Sequence, residues 1–374
     1  MTKPALKPAN PAGILPGLPP GSSVLILRLR SLGDVVMLTP ALAALHQFRP
    51  DLRITVAVEP PFSAVLEGNP AISDVLLVHG SAETIREIRA RKFPLVYNQH
   101  GGPTSAFLAR SSGAPLRVCW DHAQFQFFYN VRVPPPEVFF GARKVHTVEH
   151  RISQFYWTGL PRGPIPPAQV FPQPDARAGV QRKLGERGVA PGQPYAVLHP
   201  GAGTFTKRWA LEHFADAARW LRESHGIVPV VRLGPGEAAI AARVREQFAP
   251  HSVVFDAQAL NLREAIALIA GARLFLGNDS GPAHLAAAAG RPAAVIFGST
   301  DSANWRPWMT EHRVVQNDFP CNPCKGDRCY AFPEPRCILS VTVEQVREAC
   351  AALLAAPDGP QVIPAAGIAP ASGS

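Results

Sequence analysis

Short apolar runs alternate with amphipathic stretches along most of this chain. In the first half, β-branched and aliphatic runs at residues 24–27, 53–58, 75–78 and 95–97 predict strands. Between them, helical spacing covers 34–48 and 82–91, with a shorter piece at 62–67. A proline-bearing stretch over 160–173 reads as a linker. The rhythm then resumes, with strands predicted at 195–199, 228–233, 253–255, 274–276 and 294–297. Helices are predicted at 211–223, 237–248, 262–270 and 283–289. Strand–helix alternation of this kind builds a mostly parallel sheet with helices on both faces. Two such runs predict two Rossmann-like doubly wound α/β domains, over residues 23–175 and 176–355. The Pro/Gly-rich leader 1–22 and the Ala/Pro/Gly/Ser tail 356–374 read as disordered ends.

Composition narrows this picture only a little. A hydrophobic content of 47% against 17% charged describes a globular chain rather than a disordered one. No apolar stretch approaches the ~18 residues of a membrane span. The first residues are broken by Pro4, Pro8, Pro11 and Pro16 and lack the apolar core of a signal peptide. The expected location is therefore the cytoplasm. A net charge of +9 points to anionic partners, whether nucleic acid, an anionic lipid surface or a phosphorylated small molecule. It equally fits arginines that keep a surface soluble. No zinc-finger or RNA-recognition pattern is present, so nucleic acid is not expected as a partner.

In parallel sheets ligands gather at the carboxyl ends of strands, which directs attention to three loops. The first is Arg28-Leu29-Arg30-Ser31-Leu32-Gly33-Asp34. Gly33 would permit a positive-φ turn, and Asp34 at the helix start is either a cap or a proton acceptor kept ionised by the helix dipole. The second loop, His199-Pro200-Gly201-Ala202-Gly203-Thr204-Phe205-Thr206-Lys207-Arg208-Trp209, puts backbone N–H groups and two cations within reach of phosphate. It is neither a Walker loop nor a full dinucleotide fingerprint. The third is Gly277-Asn278-Asp279-Ser280-Gly281-Pro282-Ala283-His284. There Ser280 and Gly281 can offer N–H groups to a pyrophosphate, while Asp279 either bonds a sugar hydroxyl or braces the turn.

This ordered set, Ser31-Leu32-Gly33-Asp34, then Lys207-Arg208-Trp209, then Gly277 to His284, resembles glycosyltransferase family 9. That family comprises the ADP-heptose:lipopolysaccharide heptosyltransferases and their relatives. The resemblance runs from about Val24 to Val346. It implies a GT-B fold, two Rossmann-like domains facing an interdomain cleft, and inverting transfer of heptose from ADP-heptose to the lipopolysaccharide inner core. By that resemblance Asp34 is the general base, and Lys207, Ser280 and Gly281 meet the donor phosphates. Asp279 holds heptosyl hydroxyls with His284 nearby, Thr206 stands by the phosphate loop, and Leu260 packs on the adenine. No Asp-x-Asp pair sits at a strand end to hold Mg²⁺, so no cofactor is expected to be required. The acceptor would be an anionic glycolipid, reached by peripheral contact with the inner membrane leaflet. Another nucleotide-sugar donor or acceptor glycan on the same architecture remains the nearest alternative.

Four of the six cysteines form one cluster, Cys321, Cys324, Cys329 and Cys337, spaced C-x₂-C-x₄-C-x₇-C. The spacing suits a structural four-thiolate zinc site, and free or redox-active thiols fit as well. A nucleotide-binding or redox protein working through this cluster is the alternative from another class.

Overall fold

The computed structural model describes residues 10–249 and 251–355. Strands β1 (Ser23–Leu27) and β4 (Leu95–Asn98) are runs of mostly apolar residues buried on both faces. β7 (Tyr195–His199) and β10 (Leu274–Asn278) are likewise buried along almost their whole length. Such two-sided burial is the pattern of a parallel strand under helices rather than of a half-exposed sheet. With β2 (Arg53–Val58), β3 (Asp74–Leu77), β5 (Leu116–Trp120) and β6 (Val131–Val133), the first sheet has the order β3-β2-β1-β4-β5-β6. The second adds β8 (Val228–Arg232), β9 (Val253–Phe255), β11 (Ala293–Ile296) and β12 (His312–Val315) in the order β12-β11-β10-β7-β8-β9. Every neighbouring pair is parallel. Both sheets therefore repeat one doubly wound strand order, and the two-domain α/β expectation holds.

The strand order decides where a ligand fits. In each sheet the chain steps outward from a central strand, then returns to lay the next strand on that strand's other side. The return falls between β1 and β4 in the first sheet and between β7 and β10 in the second. Connecting loops there depart in opposite directions, leaving a crevice at the carboxyl ends of the strands.

Contacts divide the described chain after Ala168, with Gln169 onward in the second unit, where the helix Pro174–Gly185 packs on the helix Leu262–Ala270. The expected boundary, between residues 175 and 176, lies a few residues later. Two expectations about local structure fail for identifiable reasons. The helix expected over 34–48 is two helices, Leu32–Val36 and Thr39–Phe48, with Pro40 in the first turn of the second. A proline ring at that position would collide with the carbonyl four residues back and cannot continue a helix through it. The leader expected to be disordered to residue 22 instead forms two short helical turns, Pro11–Gly13 and Ile14–Gly17. Ile14, Leu15 and Leu18 are buried, and the Leu15 N–H donates to the Thr158 carbonyl at 2.9 Å. The first nine residues and the tail 356–374 lie outside the described residues. Among the described residues no helix is long and apolar enough to cross a membrane.

Candidate active site

The crevice of the first unit is built around one carboxylate. Ser31 occupies the N-cap position of the helix Leu32–Val36, and Asp34 sits in its first turn, so Asp34 is not the cap. Gly33 is helical and absent from the positive-φ positions, contrary to the expected turn. Asp34 Oδ1 accepts from Arg151 at 2.7 Å, and Oδ2 accepts from the Ser31 hydroxyl at 3.0 Å and pairs with Arg28. Both arginines also donate to the Gln99 carbonyl at the end of β4, Arg151 at 2.9 Å. The Gln99 amide in turn donates to the Arg151 carbonyl at 3.0 Å. Two loops and the helix Thr147–Trp157 are thereby tied to the same carboxylate.

Opposing forces set its charge. Burial favours the neutral acid, but Arg28, Arg151 and the Ser31 hydroxyl outweigh it and hold Asp34 below the ordinary carboxylate range. Burial, with the repulsion of Arg151, pulls Arg28 down to about 9, still protonated at neutral pH. His100 follows β4, and its Nδ1 donates to the Arg30 carbonyl at 3.2 Å. Burial and the nearby Arg28 lower it to about 4, so at neutral pH the ring is uncharged. The result is an ionised carboxylate fixed in place beside a neutral imidazole.

The second crevice lies where β7 and β10 run side by side, with His199 in register with Gly277. Asn278 fastens its two loops together. Its amide donates to the Pro200 carbonyl at 2.7 Å, and its oxygen accepts from the Trp209 N–H at 3.1 Å. Lys207 Nζ meets Asp279 Oδ2 at 2.8 Å, and the Thr300 hydroxyl donates to the same oxygen at 2.6 Å. Ser280 caps the helix Gly281–Ala288, where Pro282 removes the second N–H and Ala283 N–H turns back to the Ser280 carbonyl. Gly281 stands at the first helical position, whose N–H has no intrahelical acceptor and points out of the helix start. His284 is buried one turn further on.

Not every expected residue joins this group. Thr206 is buried, with its hydroxyl donating to the Gly326 carbonyl and lying 3.1 Å from the Ser299 hydroxyl. It secures the loop rather than facing outward. Leu260 is buried after the edge strand β9, and the hydrogen bonds among Lys207, Asp279 and Thr300 do not reach it. Glu237, in contrast, was not singled out by its sequence surroundings. It lies after β8, 3.2 Å from His199 Nε2, and accepts from the Gly234 N–H at 2.6 Å. His199 Nδ1 donates to the Arg232 carbonyl at 2.9 Å. Burial would raise Glu237, but His199, the Gly234 N–H and Arg232 together hold it low. A Cβ on Gly201 would stand 1.6 Å from Glu237 Oε1, so the glycine leaves room for the carboxylate. The signal available in advance was that glycine beside a strand end, not the acid itself.

Of the two forms expected for the cysteine cluster, the structure has free thiols. Cys321, Cys324 and Cys329 are partly exposed, Cys337 is buried in the short helix Arg336–Leu339, and all four are free thiols. Among the described residues no group of three or more His, Cys, Asp and Glu side chains is placed to hold a metal ion. Backbone contacts shape the loop instead, with Cys324 N–H on the Ser299 carbonyl at 3.0 Å and the Asn322 amide on Gly298 at 2.8 Å. With Thr206 on Gly326, these bonds hold the cysteine loop against the second crevice.

The chain is similar to known proteins. The chain is 28% identical to an Escherichia coli lipopolysaccharide heptosyltransferase 3 over 75% of its own length and 84% of that protein's. It is 26% identical to a Pseudomonas aeruginosa lipopolysaccharide heptosyltransferase 1, covering 90% of this chain and 99% of the relative. The solved structure of the E. coli ADP-heptose lipopolysaccharide heptosyltransferase II superposes with a TM-score of 0.74 at 19% identity, over 89% of this chain and 98% of that one. The family model for glycosyltransferase family 9 (heptosyltransferase) matches residues 82–333, from within the first unit through both loops of the second crevice and the cysteine loop, and the chain belongs to that family of glycosyltransferases.

Proposed function

We propose that this enzyme transfers a heptose from ADP-heptose to the lipopolysaccharide inner core with inversion at the anomeric carbon, using Asp34 as the base. The observation that carries the reading is the Asp34 carboxylate, held ionised by Arg28 and Arg151 at the carboxyl end of β1. An inverting displacement needs one acceptor for the proton of the incoming hydroxyl, on the face opposite the departing nucleotide. An ionised carboxylate fixed by three donors suits that task, with proton transfer following bond breakage because the base is weak.

The second crevice takes the donor. Lys207 and the N–H of Gly281 at its helix start face the pyrophosphate and carry the charge that develops on the departing ADP. Asp279, positioned by Lys207 and Thr300, accepts from the heptosyl hydroxyls, with Ser280 and His284 beside it. Glu237, a carboxylate at the end of the strand next to the glycine loop, accepts from the ribose hydroxyls. These groups stabilise the leaving group without a metal ion. The relatives act on lipopolysaccharide, which supports an anionic glycolipid acceptor and a cytoplasmic enzyme working against the inner leaflet.

The test is Asp34→Asn, assayed with ADP-heptose and a Kdo-bearing lipid A acceptor. Transfer should fall ~10²-fold or more while calorimetric ADP binding stays close to wild type. Full transfer by Asp34→Asn would remove the base assignment. Tight binding of a UDP- or GDP-sugar in place of ADP-heptose would overturn the donor.

A further inference from the structure

We propose that the second unit carries a separate binding site for an organic phosphate, at the amino ends of β7, β10 and β11, where Arg177, Arg273 and Arg291 line one cavity. The cavity measures about 490 Å³. That is far beyond the water-sized voids of a close-packed interior and within the ~300–1,000 Å³ of small-molecule sites. Tyr195 in its wall opens β7, Arg273 precedes β10, and Arg291 lies just ahead of β11. His199 closes β7 four residues on, about 13 Å along the strand. The cavity and the second crevice therefore stand at opposite ends of the same strands, and both can be filled at once.

Charge sets the class of ligand. Among the described residues, the three arginines are the only charged side chains in the wall. The acids of the neighbouring helices are engaged elsewhere, Asp175 with Arg263 at 3.0 Å and Glu264 with Lys183 at 2.7 Å. Two helix ends offset part of the positive charge. The helix Leu262–Ala270 stops in the wall at Ala270 and Gly271, and Arg273 donates to the carbonyl of Leu354, the last residue of the helix Val343–Leu354, at 3.0 Å. Each end brings about half a negative charge, so on the order of two positive charges remain. That matches the roughly −1.5 to −2 of a phosphate monoester at pH 7. A guanidinium has five N–H donors, so one that caps a helix can also hold an anion, and its fork meets two phosphate oxygens at once.

The rest of the wall gives the ligand its body. Val180, Leu184 and Val189 are apolar side chains of the wall, and the Tyr195 ring is anchored beside them by its hydroxyl, which donates to the Leu268 carbonyl at 2.8 Å. The Arg291 charge acts on the Tyr195 phenol against the upward push of burial, so cation and ring share one end of the cavity. Inorganic phosphate would meet the arginines and leave the apolar wall uncovered. An ester with an apolar or aromatic body covers both, and the area it removes from water adds to its affinity.

The test titrates phenyl phosphate calorimetrically into the full chain saturated with ADP, which occupies the second crevice. Wild type should bind one equivalent of phenyl phosphate and hold inorganic phosphate about tenfold more weakly. Arg177→Glu reverses an exposed charge without touching the core and should weaken phenyl phosphate about tenfold or more, and Arg291→Met should weaken it by a similar factor. ADP affinity and heptose transfer should match wild type in both variants. Absence of saturable binding, binding seen only without ADP, or variants that bind like wild type would each overturn the site. Inorganic phosphate held as tightly as the ester would also overturn it, leaving an adventitious ion only. The site stands apart from the transfer reading, since Asp34→Asn should bind phenyl phosphate like wild type whether or not it transfers heptose.

Discussion

At Asp34 two opposing effects act on one carboxyl group, and their balance predicts a pH profile. Burial alone would push the group toward the neutral acid, and two guanidinium groups reverse that. Since the folded value lies below the ordinary one of about 3.9, Asp34 contributes stability above the unfolded value, and that contribution is lost as pH falls through the folded one. Under the proposed role as base the same sign governs activity, because only the ionised form accepts a proton. The acid limb of kcat/KM should therefore lie below the ordinary carboxylate range. Arg151→Met removes one of the two lowering charges and should move that limb upward, with kcat falling less than in Asp34→Asn. Measuring kcat/KM against pH for both proteins checks this, and an unmoved limb would count against Asp34 as the titrating base. The motif drew attention to Asp34, but Arg151 stands 117 positions away, and no local pattern linked it to the loop.

The elements holding the second crevice show how far local sequence carries. Strands with continuous apolar runs were legible because two-sided burial leaves that mark, as in β1, β7 and β10. β5, β6 and β12 escaped notice. β6 is three residues with an exposed centre at Arg132, and β12 is an edge strand beginning His312-Arg313, so neither has an uninterrupted run. β5 mixes Arg117 and Cys119 with a terminal Trp120, which blurs its period. Asn278 illustrates the same limit inside the site. In sequence it was one unremarked member of the third loop, whereas in the fold it bonds Pro200 and Trp209 and locks the glycine loop to β10. Asn278→Ala leaves a buried carbonyl and a buried N–H without their partner, at about 2–4 kcal/mol. The variant should melt several degrees lower and bind ADP more weakly, since the loop bearing Lys207 loses its anchor. A denaturant titration and an ADP calorimetric titration measure the two effects, and a variant that binds ADP as tightly as wild type would show that the anchor does not shape the site.

Across the molecule, two units share one strand order, and under the proposed function each unit's role would follow from the charges at its crevice rather than from that topology. The first presents a negative group held by cations, the second a cation and a helix start held by a carboxylate. In the first, both guanidinium groups are already taken up by Asp34 and the Gln99 carbonyl, whereas the second offers the Lys207 ammonium beside a helix start. The family and the doubly wound fold were legible because motif order and strand rhythm survive in sequence. Arg151 on its helix, Glu237 and the anchoring role of the cysteine loop were not, since each depends on contacts between distant segments. This division predicts the response to ADP alone. A ligand that binds only the native second unit stabilises it by RT ln(1 + [L]/Kd), about 2.7 kcal/mol at a hundredfold excess over Kd. Hydrogen exchange with ADP should then slow the amides over 201–209 and 280–284. Those over 31–36, which bear the base, should exchange at their unliganded rates. Equal slowing at the Asp34 loop would mean that the nucleotide binds the first unit, and the assignment of donor and base to separate units would fail.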